Sequence, residues 1–264
     1  MEKNTYTDLK LLDFLSMRRF FNLKTEEIDY KVITVMVSVA LCLAINRFIG
    51  NGSFYLYIFR KIYPQAPITW ETEFWASIYW SCGCCFSYFI IPSFITIFIF
   101  KESIIQYGLK IKGIGKHLWI YFVLYLIVLV GVLIAAFQQS FLNTYPFIQP
   151  PPGKWIYFLI FEIFYCMQFC FLEFFFRGYT LFQLEKKFGI YAIFIMVIPY
   201  CMIHFQKPFL EALASILAGI ILGMIALRTR SIIYGILIHC SVAISMDFAA
   251  LIREGYLLIL FSRH

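Results

Sequence analysis

The chain alternates between long apolar runs and short polar segments, and the runs have the length of membrane-spanning helices. A transmembrane helix needs about 20 predominantly apolar residues. The runs are continuous rather than alternating at every second residue, which favours helices over membrane-spanning strands. The predicted spans are residues 32–49, 74–100, 118–137, 155–176, 190–205, 209–227 and 232–252. The pattern therefore predicts an all-α polytopic integral membrane protein, a helical bundle of about seven (six to eight) transmembrane helices.

The amino-acid composition excludes several classes of protein. Of the 264 residues, 62% are hydrophobic and 14% are charged, and the mean hydropathy is +0.80. A soluble domain is about half apolar and about a quarter charged. The apolar excess excludes a soluble enzyme, a disordered protein and a nucleic-acid-binding module, so no nucleic-acid partner is expected. The lipid bilayer is the expected partner.

The basic residues predict how the chain is oriented. With the N-terminus in the cytoplasm, the larger share of the 22 lysine and arginine residues falls in cytoplasmic segments, as the positive-inside rule requires. No apolar stretch of the signal-peptide type precedes the first span. We therefore expect an integral protein of the plasma (inner) membrane with a cytoplasmic N-terminus. Its oligomeric state stays open.

The spans and loops divide the chain into four parts. Residues 1–31 predict an amphipathic cytoplasmic lead on the bilayer surface, and residues 32–154 hold three scaffold helices with their loops. Residues 155–252 form a core of four transmembrane helices, and residues 253–264 form a short tail. The proline-rich stretch 142–154 predicts a stiff outer loop that is not helical.

Ionisable residues inside the predicted spans occur only in the last four of them. Such groups are costly at membrane depth, so each needs a partner or a function. The first three spans carry none in their interiors, which places the working part of the protein after Trp155. The candidates are Glu162, Glu173, Arg177, His204, Glu211, His239 and Asp247.

The spacing of these residues predicts contacts for several of them. Glu173 and Arg177 are four residues apart and share a helix face, and Gly178 is expected to break the helix just after them. Glu162 is expected to reach the outer interface rather than join this polar face. Glu211 is interpreted as an acid at a helix N-terminus, where it is favourable to the helix dipole.

The late spans also hold two histidines and a further acid. His204 follows Pro199, which is expected to kink the fifth span, and His239 lies in the middle of the seventh. A carboxylate and two imidazoles can activate a water molecule, with the carboxylate taking its proton. Asp247 is expected to pair with a basic residue of another helix or to hold a histidine tautomer.

Neither a cofactor nor a metal ion is expected from the pattern. The cysteines lie within or at the ends of apolar runs, which is not the spacing of a secreted disulfide framework. Cys82, Cys84 and Cys85 have no histidine or second cysteine pair nearby at zinc-finger spacing. A divalent metal at the site stays an open alternative.

Three short motifs resemble those of the CPBP family, which contains the type II CAAX prenyl endopeptidases and bacteriocin-processing proteins and is also called Abi. The stretch Leu172–Tyr179, with Glu173 and Arg177, is similar to the first motif. Tyr200 and His204 are similar to the second, with Tyr in place of the usual Phe. His239, after the basic turn 228–230, matches the third.

The resemblance implies a helical bundle whose active site opens inside the membrane and cleaves peptides. In the family, a glutamate and a histidine activate water, while a second histidine and an asparagine stabilise the oxyanion. The first glutamate of the family motif aligns with Leu172 here, and the asparagine aligns with Ala243. Either Glu173 does the acid–base work alone, Glu211 or Asp247 replaces the missing carboxylate, or the chain is inactive.

The leading hypothesis is an intramembrane endopeptidase acting on a prenylated or membrane-inserted peptide. Glu173 would be the general base or its support, and Arg177 would position Glu173. His204 would orient water, and His239 would polarise the carbonyl. The alternatives are an inactive immunity or scaffolding protein of the same fold and a small transporter, against which the lack of an internal repeat argues.

Overall fold

A computed structural model describes residues 28–110, 115 and 118–260. The described part is all-helical and contains no strand, which confirms the predicted fold class. The predicted lead falls mostly on residues 1–27, outside the described residues. The helices are α1 (Tyr30–Phe48), α2 (Gly52–Ile62), α3 (Trp70–Ile99), α4 (Leu118–Ala135), α5 (Gln139–Leu142), α6 (Trp155–Phe188), α7 (Tyr191–Met202), α8 (Phe209–Thr229), α9 (Ile233–Arg253) and α10 (Tyr256–Leu260).

Six of the described helices are long and apolar enough to cross a membrane: α1, α3, α4, α6, α8 and α9. The predicted fifth span, residues 190–205, was too long. The helix within it, α7, has 12 residues and a length of about 18 Å, short of a bilayer core of about 30 Å. The chain leaves this helix at Ile203 and turns before Pro208, which starts α8.

The predicted helix break at Gly178 is wrong. The α6 helix continues through this residue as a π-helical segment, Phe174–Leu181, and ends at Phe188. Gly189 then stops it with a positive φ of 53°. Gly178 has a different role, because a β-carbon there would lie 2.7 Å from the carbonyl oxygen of Tyr107. The glycine allows the segment after α3 to lie directly against α6.

The α3 helix absorbs its proline without ending. Pro92 lies in a short α-helical stretch, Ile91–Phe94, between the π-helical segments Phe86–Ile90 and Ile95–Ile99. Proline removes a hydrogen-bond donor from a helix, and the wider turns on both sides keep the helix continuous. The sequence pattern missed α2, whose N-terminus is capped by the side chain of Asn51.

The middle of α6 lies at the centre of the main apolar core. Phe174, Phe175, Phe176 and Tyr179 are fully or almost fully buried. The Tyr179 hydroxyl lies 2.8 Å from the Ser38 hydroxyl of α1. The α6 helix also packs against α3 and α9, and α7 packs along α8. These contacts fix the polar residues of α6 among four neighbouring helices.

Candidate active site

Glu173 and Arg177 form an ion pair in the interior of the bundle. The Arg177 guanidinium lies 3.0 Å from the Glu173 carboxylate, and both side chains are completely buried. Glu173 is the last residue of the α-helical part of α6, and Arg177 lies in the π-helical part that follows. The predicted pair is therefore present, and π-helical turns of this kind often occur at functional sites.

His239 of α9 reaches the same carboxylate from the other side. Its Nδ1 atom lies 2.8 Å from Glu173 Oε1. The close approach depends on Gly235, one turn earlier on α9, because a β-carbon at this position would overlap the Glu173 carboxylate. Two helices that the sequence could only place in the same bundle thus meet at one carboxylate.

Tyr200 and His204 of the α7 region complete the group. The Tyr200 hydroxyl lies 2.8 Å from His239 Nε2, so both ring nitrogens of His239 face a polar partner. His204 Nδ1 lies 2.9 Å from the Tyr200 carbonyl oxygen and donates to it. The donor role of Nδ1 leaves His204 Nε2 as the acceptor nitrogen of a neutral imidazole.

A large cavity borders this group. Its volume is about 1520 Å³, and most of its lining residues are apolar. Tyr200, His204 and His239 are part of its wall, as are Leu172 and Ala243. The buried Glu173–Arg177 pair lies behind this wall, and the His239 ring lies between the carboxylate and the cavity.

The rim of the cavity faces the lipid side of the bundle. Ile134 of α4 and Leu217 of α8 line it, and each is more than 60% exposed. Exposed apolar side chains on membrane-spanning helices face hydrocarbon. The cavity is thus bordered by polar groups at its depth and by lipid-facing residues at its edge.

A second polar cluster lies on the same cavity. The Tyr145 hydroxyl is 3.0 Å from both oxygens of Glu211, and Lys207 Nζ is 2.8 Å from that hydroxyl. Lys207 also lies over the ring of Phe147 at 4.0 Å. Burial lowers the pKa of Lys207 to about 8, although the charges of Glu211 and Asp247 act in the opposite direction. Glu211 lies in the first turn of α8, as predicted.

A third polar pair is buried away from the cavity. The side chains of Glu162 and Asp247 lie within hydrogen-bonding reach of each other between α6 and α9. Glu162 is 7% exposed and Asp247 is completely buried. The expectation that Glu162 reaches the outer interface is therefore wrong, because Asp247 holds it inside the bundle. Two carboxyl groups so close together repel each other if both are charged.

Part of the chain matches the model of a known protein family. Residues 152–245 match the family model described as type II CAAX prenyl endopeptidase Rce1-like. This segment is Rce1-like. The match confirms the resemblance to the CPBP family over these residues and supports a protease at the level of the family. Comparisons with curated proteins and with solved structures give no match.

The Rce1-like segment contains every residue that the sequence singled out for catalysis: Glu173, Arg177, His204 and His239. The structure brings Glu173, Arg177 and His239 into direct contact, and it joins His204 to them through Tyr200. Asp247 lies just beyond the matched segment and away from the cavity. Sequence reasoning identified Tyr200 only as the aromatic residue of the second motif, and it missed the contact of its hydroxyl with His239. It also missed the role of Gly235.

Proposed function

We propose that the protein is an intramembrane endopeptidase that cleaves a prenylated or membrane-inserted peptide. The single observation that carries the proposal is the contact of 2.8 Å between Glu173 and His239. His239 lies on the wall of the cavity, whereas Glu173 does not reach the cavity. A carboxylate that holds one imidazole nitrogen fixes the ring and stabilises its charged form. On a cavity wall, a ring held in this way lies where a bound peptide would pass.

The roles follow from what each side chain is bound to. Arg177 holds the Glu173 carboxylate, and Glu173 supports His239, which holds the Tyr200 hydroxyl at the cavity wall. His204 keeps its Nδ1 on a backbone carbonyl, so its Nε2 accepts a proton from the attacking water. The carboxylate that the family motif has at Leu172 is thereby replaced by an imidazole.

The remaining acids do not serve as the missing base in this proposal. Asp247 is bound to Glu162 behind the cavity wall. Glu211 borders the cavity, but the Tyr145 hydroxyl holds both of its oxygens.

A divalent metal does not fit the donor set. The positive guanidinium of Arg177 lies on the Glu173 carboxylate, and both nitrogens of His239 already face a partner. Among the described residues, no group of three or more His, Cys, Asp or Glu side chains has an arrangement that could hold a metal ion. We therefore propose a mechanism in which the protein side chains alone move the protons.

The cavity supports the substrate class. A volume of about 1520 Å³ exceeds that of ordinary small-molecule sites, which is about 300–1,000 Å³. Its apolar walls suit a peptide that carries a lipid chain or apolar side chains, and its lipid-facing rim suits entry from the bilayer. We also propose a plasma (inner) membrane location with the N-terminus in the cytoplasm, which the distribution of basic residues supports.

The test is peptide cleavage by the purified protein in liposomes. The substrates are a quenched-fluorescent farnesylated peptide and a library of membrane-inserted peptides. Glu173→Gln and His204→Gln are each expected to lower kcat by at least about 100-fold. Glu162→Gln is the matched control, since it makes the same change on the same helix away from the cavity, and it is expected to cleave like wild type. Equal activity of the Glu173→Gln and control variants would contradict the proposal.

One observation favours a second candidate, a non-catalytic immunity or scaffolding protein. Leu172 and Ala243 line the cavity where the family motifs have a glutamate and an asparagine. This alternative predicts that His204→Gln and His239→Gln leave the cellular phenotype unchanged. Loss of the phenotype in well-folded histidine variants would exclude it.

A further inference from the structure

Tyr200 carries a hydroxyl group that packing does not require. Its ring lies edge-on against Phe176 at 5.3 Å and under the Arg177 guanidinium at 4.1 Å. Gly219 of α8 leaves room for this ring, because a β-carbon there would lie 3.0 Å from it. A phenylalanine would make the same contacts, so the hydroxyl must serve the partner it meets, His239.

The Tyr200 hydroxyl lies at the His239 ring nitrogen that does not face Glu173. His239 Nδ1 faces Glu173 and His239 Nε2 faces Tyr200, each at 2.8 Å. A proton that leaves His239 through Nε2 therefore passes to the Tyr200 oxygen. The three groups form a hydrogen-bonded chain from carboxylate to imidazole to hydroxyl, along which a proton can reach the Tyr200 oxygen.

We propose that Tyr200 is a catalytic residue, the general acid that donates its proton to the leaving amine. This inference rests on the proposed function. An amide bond breaks only if its nitrogen is protonated as it leaves, and Tyr200 lines the cavity beside His239. The chain thus has a tyrosine at a position where the family it resembles usually has Phe. It has the apolar residues Leu172 and Ala243 where that family has a glutamate and an asparagine.

The step balances within the described groups. Water forms a bond to the carbonyl carbon and gives a proton to His204 Nε2. The carbon–nitrogen bond then breaks with its electron pair on nitrogen, which takes the Tyr200 proton. The Arg177 guanidinium beside its ring stabilises the phenolate. The phenolate then recovers, through water, the proton that His204 took from the attacking water. The products are a carboxylic acid and an amine.

The first test compares two Tyr-to-Phe variants in the liposome assay. Tyr200→Phe is expected to lower kcat by about 100-fold and to leave KM within threefold, because the substrate still binds in the same cavity. Tyr88→Phe is the matched control, since Tyr88 is also buried and lines the same cavity, and it is expected to retain wild-type kcat. If wild type and Tyr200→Phe cleave equally while His239→Gln is inactive, the role of Tyr200 is overturned and the proposed function stands.

The second test does not need a substrate. A membrane-soluble aryl sulfonyl fluoride labels an activated phenol: the oxygen bonds to sulfur, fluoride leaves, and the proton goes to His239. Peptide mass spectrometry is expected to find the label on Tyr200 in wild type and at least tenfold less of it in His239→Gln. If wild type cleaves none of the peptides, the proposed function fails for those substrates. The labelling result then tests the role of Tyr200 on its own. Labelling of Tyr200 that depends on His239 supports proton exchange between the two groups, on which the general-acid role depends, and its absence overturns that role.

Discussion

Glu173 Oε1 lies 2.8 Å from Nδ1 of His239, and this contact joins the middle of α6 to the middle of α9. Arg177 lies on the same carboxylate at 3.0 Å. The arrangement places a charged group deep in the bundle, yet only its imidazole partner borders the cavity. The Glu173 carboxylate thus contacts the His239 ring and lies outside the cavity lining.

The buried ion pair makes a stability prediction. Arg177→Met leaves the Glu173 charge buried without its partner and is expected to lower the free energy of unfolding by about 3–5 kcal/mol. The measurement is unfolding in detergent micelles. Arg230→Met is the control, because it breaks an ion pair with Glu185 in which the arginine side chain is 56% exposed, and it is expected to cost less than about 1 kcal/mol. Similar losses in both variants would show that burial of the first pair has been misjudged.

Gly235 makes a prediction about the position of Glu173. In Gly235→Ala the new β-carbon overlaps the Glu173 carboxylate, which must move away from His239. We expect a loss of stability of about 1–3 kcal/mol and at least a tenfold loss of kcat. Gly131→Ala is the control in α4, where nothing lies within 4 Å of the added carbon, and the helix gains up to about 1 kcal/mol. An active Gly235→Ala enzyme would contradict the geometry.

The Glu162–Asp247 pair is expected to be structural. Glu162→Gln replaces one of two adjacent carboxyl groups with an amide that can donate to Asp247. The free energy of unfolding should stay the same or rise by about 1 kcal/mol, and cleavage should continue. A fall of more than about 2 kcal/mol would mean that the carboxyl group of Glu162 has a partner that only an acid can satisfy.

Glu102, in the segment after α3, makes a pH prediction. Partial burial raises its pKa, but hydrogen bonds from Lys31, Tyr107, Lys186 and Gln183 outweigh this and hold the pKa at about 2.

The pKa of Glu102 is thus below its ordinary value of 4.5. Its stabilising contribution is therefore complete above pH 4.5 and is lost as the pH falls through about 2. In unfolding measurements, Glu102→Gln should be less stable than wild type at pH 6, and the difference should shrink towards pH 2. A difference that does not vary with pH would contradict the assignment.

The sequence predicted the parts of this molecule that depend on local pattern. The all-helical fold followed from the apolar runs, and the contact between Glu173 and Arg177 followed from their spacing of four residues. Prediction from the sequence failed where tertiary contacts determine the local structure. Glycine is typical of a helix end, but at Gly178 the missing β-carbon allows close contact with Tyr107 instead.

The candidate site shows the same division. Glu173, His204 and His239 could be chosen from the sequence because ionisable residues are rare in membrane spans. That His239 meets Glu173, whereas Asp247 meets Glu162, depends on how α6 and α9 pack. The sequence shows Tyr200 where the resembling family usually has Phe, but only the packing of α7 and α9 brings its hydroxyl to His239.

The measurement that tests the central claim most directly is a double-mutant cycle on cleavage. Glu173→Gln, His239→Gln and the double variant are compared with wild type by kcat in liposomes, after each is shown to be folded. Since the carboxylate acts only through the imidazole, the double variant should be no slower than His239→Gln alone. If the two losses instead multiply, Glu173 and His239 act independently, and the account of the site is wrong.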